Sequence, residues 1–347
     1  MKTLEEFSAF VDQQLDKDLK DLEQKRVAGR AWIRRMWILG ILPVVLFFIF
    51  IIRPAMDVGR TDTSGGNDLF VFVIAGALLM AGAGFLIRHF MMRTRGATEI
   101  KDYQQDFKNR VVRRIIAFIN PEYTYQPLNY ASYEEFTENG LFSRKDYRIT
   151  GNDQVFGKTG EMNFQFCDLK VTHMPLVTLR GQDADVVFEG SYFIAQFPRY
   201  FSTPVYVISR VSMSENLFAS PNANEGYIET WSLGKKVLPS DAAFNKAFMV
   251  YAKDVEEAQQ LLTPVLLQKI AALQERSQAK LFISFYSNRI YIGISHGRDY
   301  FEAGLDESLN NQQLLKDYYL DFLTQLQMVE DLKQNVSIWT TTAFSRS

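Results

Sequence analysis

Two apolar runs, Met36–Ile52 and Leu69–Ile87, joined by a short polar link, constrain this chain more than any other feature. Between Arg35 and Arg53 the first run carries no charge. A bilayer core needs roughly 17–25 helical residues, and Arg34 and Arg35 can lengthen a short span by snorkelling. Trp32 and Trp37 suit a membrane interface, and a membrane helix tolerates Pro43 where a neighbour covers the kink. In the second run Ala77, Ala81 and Gly84 share a helix face that lets another helix approach closely. A signal peptide fits poorly, because the first run begins late and another follows. Lys25, Arg26, Arg30, Arg34 and Arg35 precede the pair, Arg88, Arg93, Arg95 and Lys101 follow it, and only Arg53 and Arg60 lie between. Positive residues mark the cytoplasmic side. These features predict an integral membrane protein with a two-helix transmembrane hairpin at 36–87 and both termini cytoplasmic.

A chain of 347 residues can hold such a hairpin plus one further domain. The mean hydropathy of -0.12 then averages a polar domain with two spans. Net charge is -2, so no global basic footprint points to nucleic acid. Cys167 is the single cysteine, which excludes an internal disulfide and a cysteine zinc site. No cofactor is implied.

Residues 1–35 read as an amphipathic N-terminal helix, with Leu4, Phe7, Val11, Leu15, Leu19 and Leu22 at helical spacing. That stripe can pair with a partner helix, lie on a membrane, or dock on a later helix of the same chain. A second helix is expected over 97–119, ended by Asn120-Pro121. Lys108, Arg110, Arg113 and Arg114 on it form a basic cluster, a candidate contact for anionic lipid head groups beside the ordinary reading of a solvated face. Residues 120–336 form the expected cytoplasmic domain. Ser132 and Glu135 make a capping box. Strands are expected at 154–159, 162–172, 186–196, 204–210, 226–232 and 246–251. Met162, Phe164 and Phe166 share one face, and the shift to Cys167, Leu169 and Val171 predicts a bulge or slip within that strand. Asp254 opens a helix to about Arg276, with Pro264 marking a kink or the true start. Lys280–Tyr286 and Arg289–Ser295 read as a hairpin, a last helix spans 306–334, and 337–347 reads as a flexible tail. The fold class is therefore α+β: a transmembrane hairpin followed by an antiparallel sheet with packed helices.

Motifs with chemical meaning fail on their surroundings. Gly157-Lys158-Thr159 looks like part of a phosphate loop, yet Asn152 stands where the leading glycine belongs and a strand follows. Asp183 and Asp185 are two acids only, fewer than a hard cation requires. His89, His173 and His296 are far apart, and Cys167 and His173 stand six residues apart on one strand, about 20 Å. That separation is too great for the histidine to activate the thiol.

Several phrases nevertheless occur together: Gly151-Asn152-Asp153 with Gly157-Lys158-Thr159-Gly160, Phe164 to Leu169, and Val187 to Phe193 with Phe197. Phe244, Phe248, Val250-Tyr251-Ala252 and Asp254 follow, then Ala258, Leu261-Leu262-Thr263-Pro264, and Phe301-Glu302. In these phrases residues 121–332 resemble the bacterial family called domain of unknown function 3137. The resemblance implies a membrane hairpin before a cytoplasmic domain, located in the bacterial cytoplasmic membrane, and no activity. The expected function is a membrane-anchored binding or scaffolding module whose partners are the lipid bilayer and another protein or anionic lipid head groups. The alternative is a hydrolase or transferase whose carboxylates, Asp153, Asp168 and Glu302, meet only in the fold. No catalytic residue is assigned on the first reading.

Overall fold

The computed structural model describes residues 2–47, 49, 76, 80, 82–84, 86, 95–142, 146–173, 186–210, 228, 232–297, 301–334 and 339–340. The chain divides into two compact units. One comprises Met1–Val11, Val112–Glu302 and Gln312–Ser347, and the other comprises Asp12–Val111 and Ala303–Asn311.

The first unit is built on a sheet that holds, among the described residues, nine strands. They are β1 (Thr124–Gln126), β2 (Tyr147–Thr159), β3 (Met162–His173), β4 (Val186–Gln196), β6 (Val205–Ser209), β7 (Lys235–Val237), β8 (Phe248–Ala252), β9 (Lys280–Tyr286) and β10 (Arg289–Ser295). Their order is β1-β2-β3-β4-β10-β9-β6-β8-β7, and every neighbouring pair is antiparallel. The β9–β10 hairpin thus sits between β4 and β6. Its turn holds Ser287 at φ 58. A separate pair joins β5 (Tyr200–Phe201) to β11 (Trp339–Thr340).

Register aligns one residue from each of the nine strands in a single row. Tyr125, Val155, Phe166, Phe193, Ile292, Ile283, Val207, Val250 and Val237 are successive cross-strand partners. All nine are buried. Helix α9 (Gln313–Gln334) covers this face through Phe322, whose ring meets Phe164 and Phe166 at 5.9 and 5.4 Å. Behind it α8 (Pro264–Ser277) packs on α9, with the Arg276 Nε donating to Asp321 at 2.5 Å. Helix α1 (Leu4–Phe10) also packs on α9, where Phe7 stacks on Tyr319 at 4.1 Å, and α4 (Arg113–Ile119) joins it through Phe118. The first turns of the N-terminal stripe therefore dock on a later helix of the same chain.

A second core covers the opposite face of the sheet. Cys167, Leu169, Val171, Tyr192, Ile194, Phe282 and Tyr291 pack there against Phe136 of α5 (Tyr133–Thr137) and against Leu141 and Phe142. Burial on both faces explains the apolar residues at odd and even positions of β3. β3 pairs with β4 without irregularity through Phe166 and Cys167; the bulge or slip expected there is a register shift against β2, and the extra residue lies in β2. The helix expected from Asp254 is two, α7 (Val255–Leu261) and α8, because Pro264 cannot continue a helix and instead takes its first turn behind the Thr263 cap. Helix α6 (Ala242–Ala247) precedes β8, and α9 starts seven residues later than 306. Most of the strand expected at 226–232 lies outside the described residues. Two residues of the expected tail form β11, and the rest lies outside as well.

In the second unit α2 (Asp16–Phe47) packs on α3 (Arg95–Phe107), with Leu15, Leu19, Leu22, Tyr103 and Phe107 buried. Π-helical turns at Val11–Leu15 and Lys108–Val112 flank these helices. Glu23 organises the unit: Arg26 donates to it at 2.7 and 2.9 Å, the Leu309 amide at 2.9 Å and the Ser308 hydroxyl at 2.9 Å. Arg26 also donates to the Leu305 carbonyl at 2.5 Å.

The membrane reading is corrected. Among the described residues no helix is long and apolar enough to cross a membrane. Helix α2, which enters the first expected span, is densely charged up to Arg35, and only Met36–Phe47 of it is uncharged. Most of 36–87 lies outside the described residues. The transmembrane hairpin is thus unsupported, and with it the integral membrane localisation.

Two measurements test these cores. Phe193→Ala removes the large side chain beside Phe166 and Ile292 in the row and should cost about 3–5 kcal/mol in urea unfolding, while Lys236→Ala on the exposed edge should stay within about 0.5 kcal/mol. The Arg26 hydrogen bond, aided by the Leu309 and Ser308 donors, lowers the Glu23 carboxyl to about 2. A folded-state value below the unfolded one means stability that is complete above about pH 5 and lost as pH falls toward 2. Glu23→Gln should lower stability at pH 7 by about 2 kcal/mol and flatten that acid limb.

Candidate functional site

Between Asn152↔Asp168 and Val155↔Phe166 the β2–β3 register shifts, leaving Asp153 and Gln154 opposite Cys167 alone. Asp153 takes φ 59, a left-handed conformation that Asp adopts more readily than most residues. The bulged amides, which cannot join the ladder, bond instead to the segment after β1. Asp153 N–H donates to the Pro127 carbonyl at 3.2 Å and Gln154 N–H to that of Asn129 at 3.0 Å. Close approach demands Gly151, since a Cβ there would lie 2.2 Å from the Asp168 carbonyl oxygen and 2.8 Å from Tyr130 Cβ.

The Asp153 carboxylate is fully buried and accepts from the Tyr125 hydroxyl. Burial first, and then the Asp153 charge, raises the Tyr125 phenol well above its usual value, so it remains a donor. Arg113 lies 5.3 Å from the Tyr125 ring centre and donates to the Tyr125 carbonyl at 3.3 Å. Asp168, also buried, accepts from the Phe301 amide at 3.2 Å. Phe301 in turn packs on Phe166 at 5.3 Å, and the next carbonyl, that of Glu302, accepts from the Tyr318 hydroxyl at 3.2 Å. Of the three expected acids, Asp153 and Asp168 reach neighbouring buried positions by the bulge. Glu302 is tied to the same cluster through the backbone of Phe301. These bonds fix a bulge and anchor a loop. Among the described residues no group of three or more His, Cys, Asp or Glu side chains is placed to hold a metal.

The opposite face of the bulge is polar. Gln154 donates to Gln165 at 2.8 Å, Gln165 to Glu135 at 2.5 Å, and Glu135 closes the expected capping box by accepting from the Ser132 amide. Cys167 accepts from the Ala131 amide at 3.4 Å, and burial pushes its thiol well up, away from the reactive thiolate. His173 faces Asp146 at 2.6 Å.

The four basic residues are spread over both units. In the second, Arg110 donates to Asp18 and Asp21 at 2.5 Å each, and these hydrogen bonds, Asp21 first, raise its pKa; Lys108 shares its helical run. In the first, Arg113 is the residue on Tyr125, and Arg114 follows it in α4. Gly157 packs beneath Tyr123, and Thr159 donates to Glu330 at 2.7 Å, so the phosphate-loop fragment is the end of a strand. Asp183, Asp185 and His89 lie outside the described residues.

Sequence reasoning passed over Leu128 and Tyr130, which are 84% and 40% exposed on the segment that bonds the bulge. The one available signal was a large aliphatic residue between Pro127 and Asn129, where a turn is expected to be polar.

Residues 186–334 match the family described as Protein of unknown function (DUF3137). That part of the chain belongs to this family. The match takes in the phrases from Val187 to Glu302, whereas Gly151–Gly160 and Phe164–Leu169 precede it. No curated protein matches. Among solved structures the chain is similar to the crystal structure of the mycobacterial trehalose monomycolate transport factor A, TtfA. The likeness has 8% identity and a TM-score of 0.34, and covers 67% of this chain and 97% of that one. At that score it carries no argument.

Substitutions at the bulge separate shape from charge. Asp153→Asn keeps the acceptor for Tyr125 and should change stability by less than about 1 kcal/mol, while Asp153→Ala, which strands the buried hydroxyl, should cost about 2 kcal/mol. Tyr125→Phe combined with Asp153→Ala should cost at least 1 kcal/mol less than the separate effects added, as a shared bond requires. Gly151→Ala should cost about 3 kcal/mol. Urea unfolding of the five variants checks all of these.

Proposed function

We propose that the sheet domain is a binding module for a protein partner, which docks on the segment Pro127–Tyr130. The observation that carries this reading is the pairing of exposed Leu128 and Tyr130 with a backbone held from beneath by the bulge. Large apolar side chains kept in water on a rigid mount are what recognition surfaces require, and tyrosine is among the residues that most often dominate binding energy. The buried acids support the same reading. Asp153 and Asp168 accept bonds from Tyr125 and Phe301 in an interior packed with aromatic rings, the arrangement expected of structural carboxylates. A general acid or base instead needs reach to a substrate proton.

The test places a photo-crosslinking side chain at position 128 and, as a control, at Leu238, which is 64% exposed elsewhere on the sheet domain. A discrete adduct should form from 128 and not from 238, and Tyr130→Ser should reduce it at least tenfold. Asp153→Asn and Asp168→Asn should leave both the adduct and the cellular phenotype unchanged. Folded Asn variants that lose function, beside a Leu128→Asp variant that keeps it, would replace this reading with an enzymatic one.

A further inference from the structure

Asn139 and Gly140 form the only Asn-Gly pair in the sequence, and the fold needs each residue for its own reason. Gly140 takes φ 76, and a Cβ on it would lie 2.8 Å from the Tyr206 hydroxyl and 3.0 Å from the Tyr286 ring. A side chain there would be both strained and crowded. Asn139 is buried just beyond α5, against the second core. Its Oδ1 accepts from the Leu141 amide at 2.6 Å and the Phe142 amide at 3.2 Å. Its Nδ2 donates to the Phe136 carbonyl at 2.5 Å and the Tyr192 hydroxyl at 3.1 Å. The Asn139 carbonyl accepts from the Ser284 hydroxyl. Backbone donors on one side and a backbone acceptor on the other call for an amide side chain, which alone offers both.

Asparagine is chemically labile, and a following glycine, with no Cβ in the way, leaves its own amide free to attack. The Gly140 nitrogen bonds to Asn139 Cγ and gives up its proton. The Cγ–Nδ2 bond breaks, and ammonia leaves with that proton. Water then opens the cyclic imide, so the net change is amide plus water to carboxylic acid plus ammonia, as an aspartyl or isoaspartyl residue. We infer that Asn139–Gly140 is a deamidation site which the fold keeps silent and which acts once the second core opens, making that opening permanent. In the folded chain the four side-chain bonds hold Asn139 Cγ in place, and burial keeps out the water that the second step consumes. In the opened chain both restraints are gone. The product cannot restore the turn. An aspartyl oxygen would stand where Nδ2 meets the Phe136 carbonyl, acceptor against acceptor, with a charge buried beside it. An isoaspartyl residue adds a methylene to a backbone that Leu141, Phe142 and Ser284 hold at fixed length. The inference rests on the second core and is independent of the Leu128 surface.

The experiment uses the full, unsubstituted chain, held in mildly alkaline buffer with and without urea. Mass spectrometry follows the peptide that carries Asn139, which gains mass as the amide becomes an acid. Conversion at Asn139 should be at least tenfold faster in urea than in the folded chain. When urea is removed from a half-converted sample, converted chains should be depleted at least tenfold in the refolded fraction relative to unconverted ones. Ser284→Ala, which frees the Asn139 carbonyl while leaving both reacting groups in place, should speed conversion in urea-free buffer. Equal rates with and without urea would overturn the protection by the fold. Converted chains that refold as well as unconverted ones, or an Asn139→Asp variant as stable as the natural chain, would overturn the permanence.

Discussion

The row from Tyr125 to Val237 is the constraint on which the first unit depends. Nine strands can place nine apolar side chains in one line only if every register is correct at once. Slipping any strand by one residue would turn its apolar set to the opposite face. Because the second face is also a core, the penalty for a slip is poor packing rather than exposure, and shape has to discriminate. Aromatic residues supply that discrimination: Phe166 and Phe193 are both fully buried, and Phe322 reaches Phe166 edge-on from α9. Flat rings with preferred contact angles tolerate misplacement less well than aliphatic chains do.

The bulge is the place where this regularity is suspended. Two residues of β2 stand against one of β3, so two amides leave the ladder and must find acceptors elsewhere. Pro127 and Asn129 provide them, and this fixes the course of the chain between β1 and α5. The same displacement carries the Asp153 carboxylate under Tyr125. An unpaired charge there would cost several kcal/mol, but a hydroxyl donor at hand offsets much of that. Local strain, buried charge and exposed loop are therefore consequences of one extra residue. The exposed Leu128 is mounted on that extra residue's hydrogen bonds.

How much of this is legible in the sequence depends on the range of the interaction concerned. The β9–β10 hairpin is readable to the residue, because alternating apolar positions on either side of Ser287-Asn288 are local facts. The Ser132–Glu135 capping box and the break at Pro264 are local in the same way. The bulge is not: β3 looks irregular because its residues serve two cores, while β2, which bulges, carries an ordinary Gly-Asn-Asp-Gln. Nor does any spacing connect Asp153 with Asp168, or Asp168 with the Phe301 amide 133 residues on. Those meetings are created by pairing order, and pairing order is the product of the whole sheet. The apolar runs at 36–87 show the opposite failure. There composition speaks strongly for a span, whereas the described helix carries charged residues up to Arg35, several of which pair with α3, with Arg110 and with the 303–311 segment.

Pairing order also decides how the smaller strand pair is held. β4 and β6 are near neighbours in sequence, yet the hairpin of Lys280–Tyr286 and Arg289–Ser295 lies between them, and the turn of that inserted hairpin carries β5. The platform at Tyr200–Phe201 is thus fastened by long-range backbone bonds, from the Phe197 and Phe201 amides to the Asn288 and Ser287 carbonyls. On its other side β5 pairs with Trp339–Thr340, a partner still more distant in sequence. Both edges of β5 therefore rest on contacts between remote parts of the chain, which no local pattern in the sequence announces. The pair stands apart from the nine-stranded sheet, so the row from Tyr125 to Val237 is complete without it.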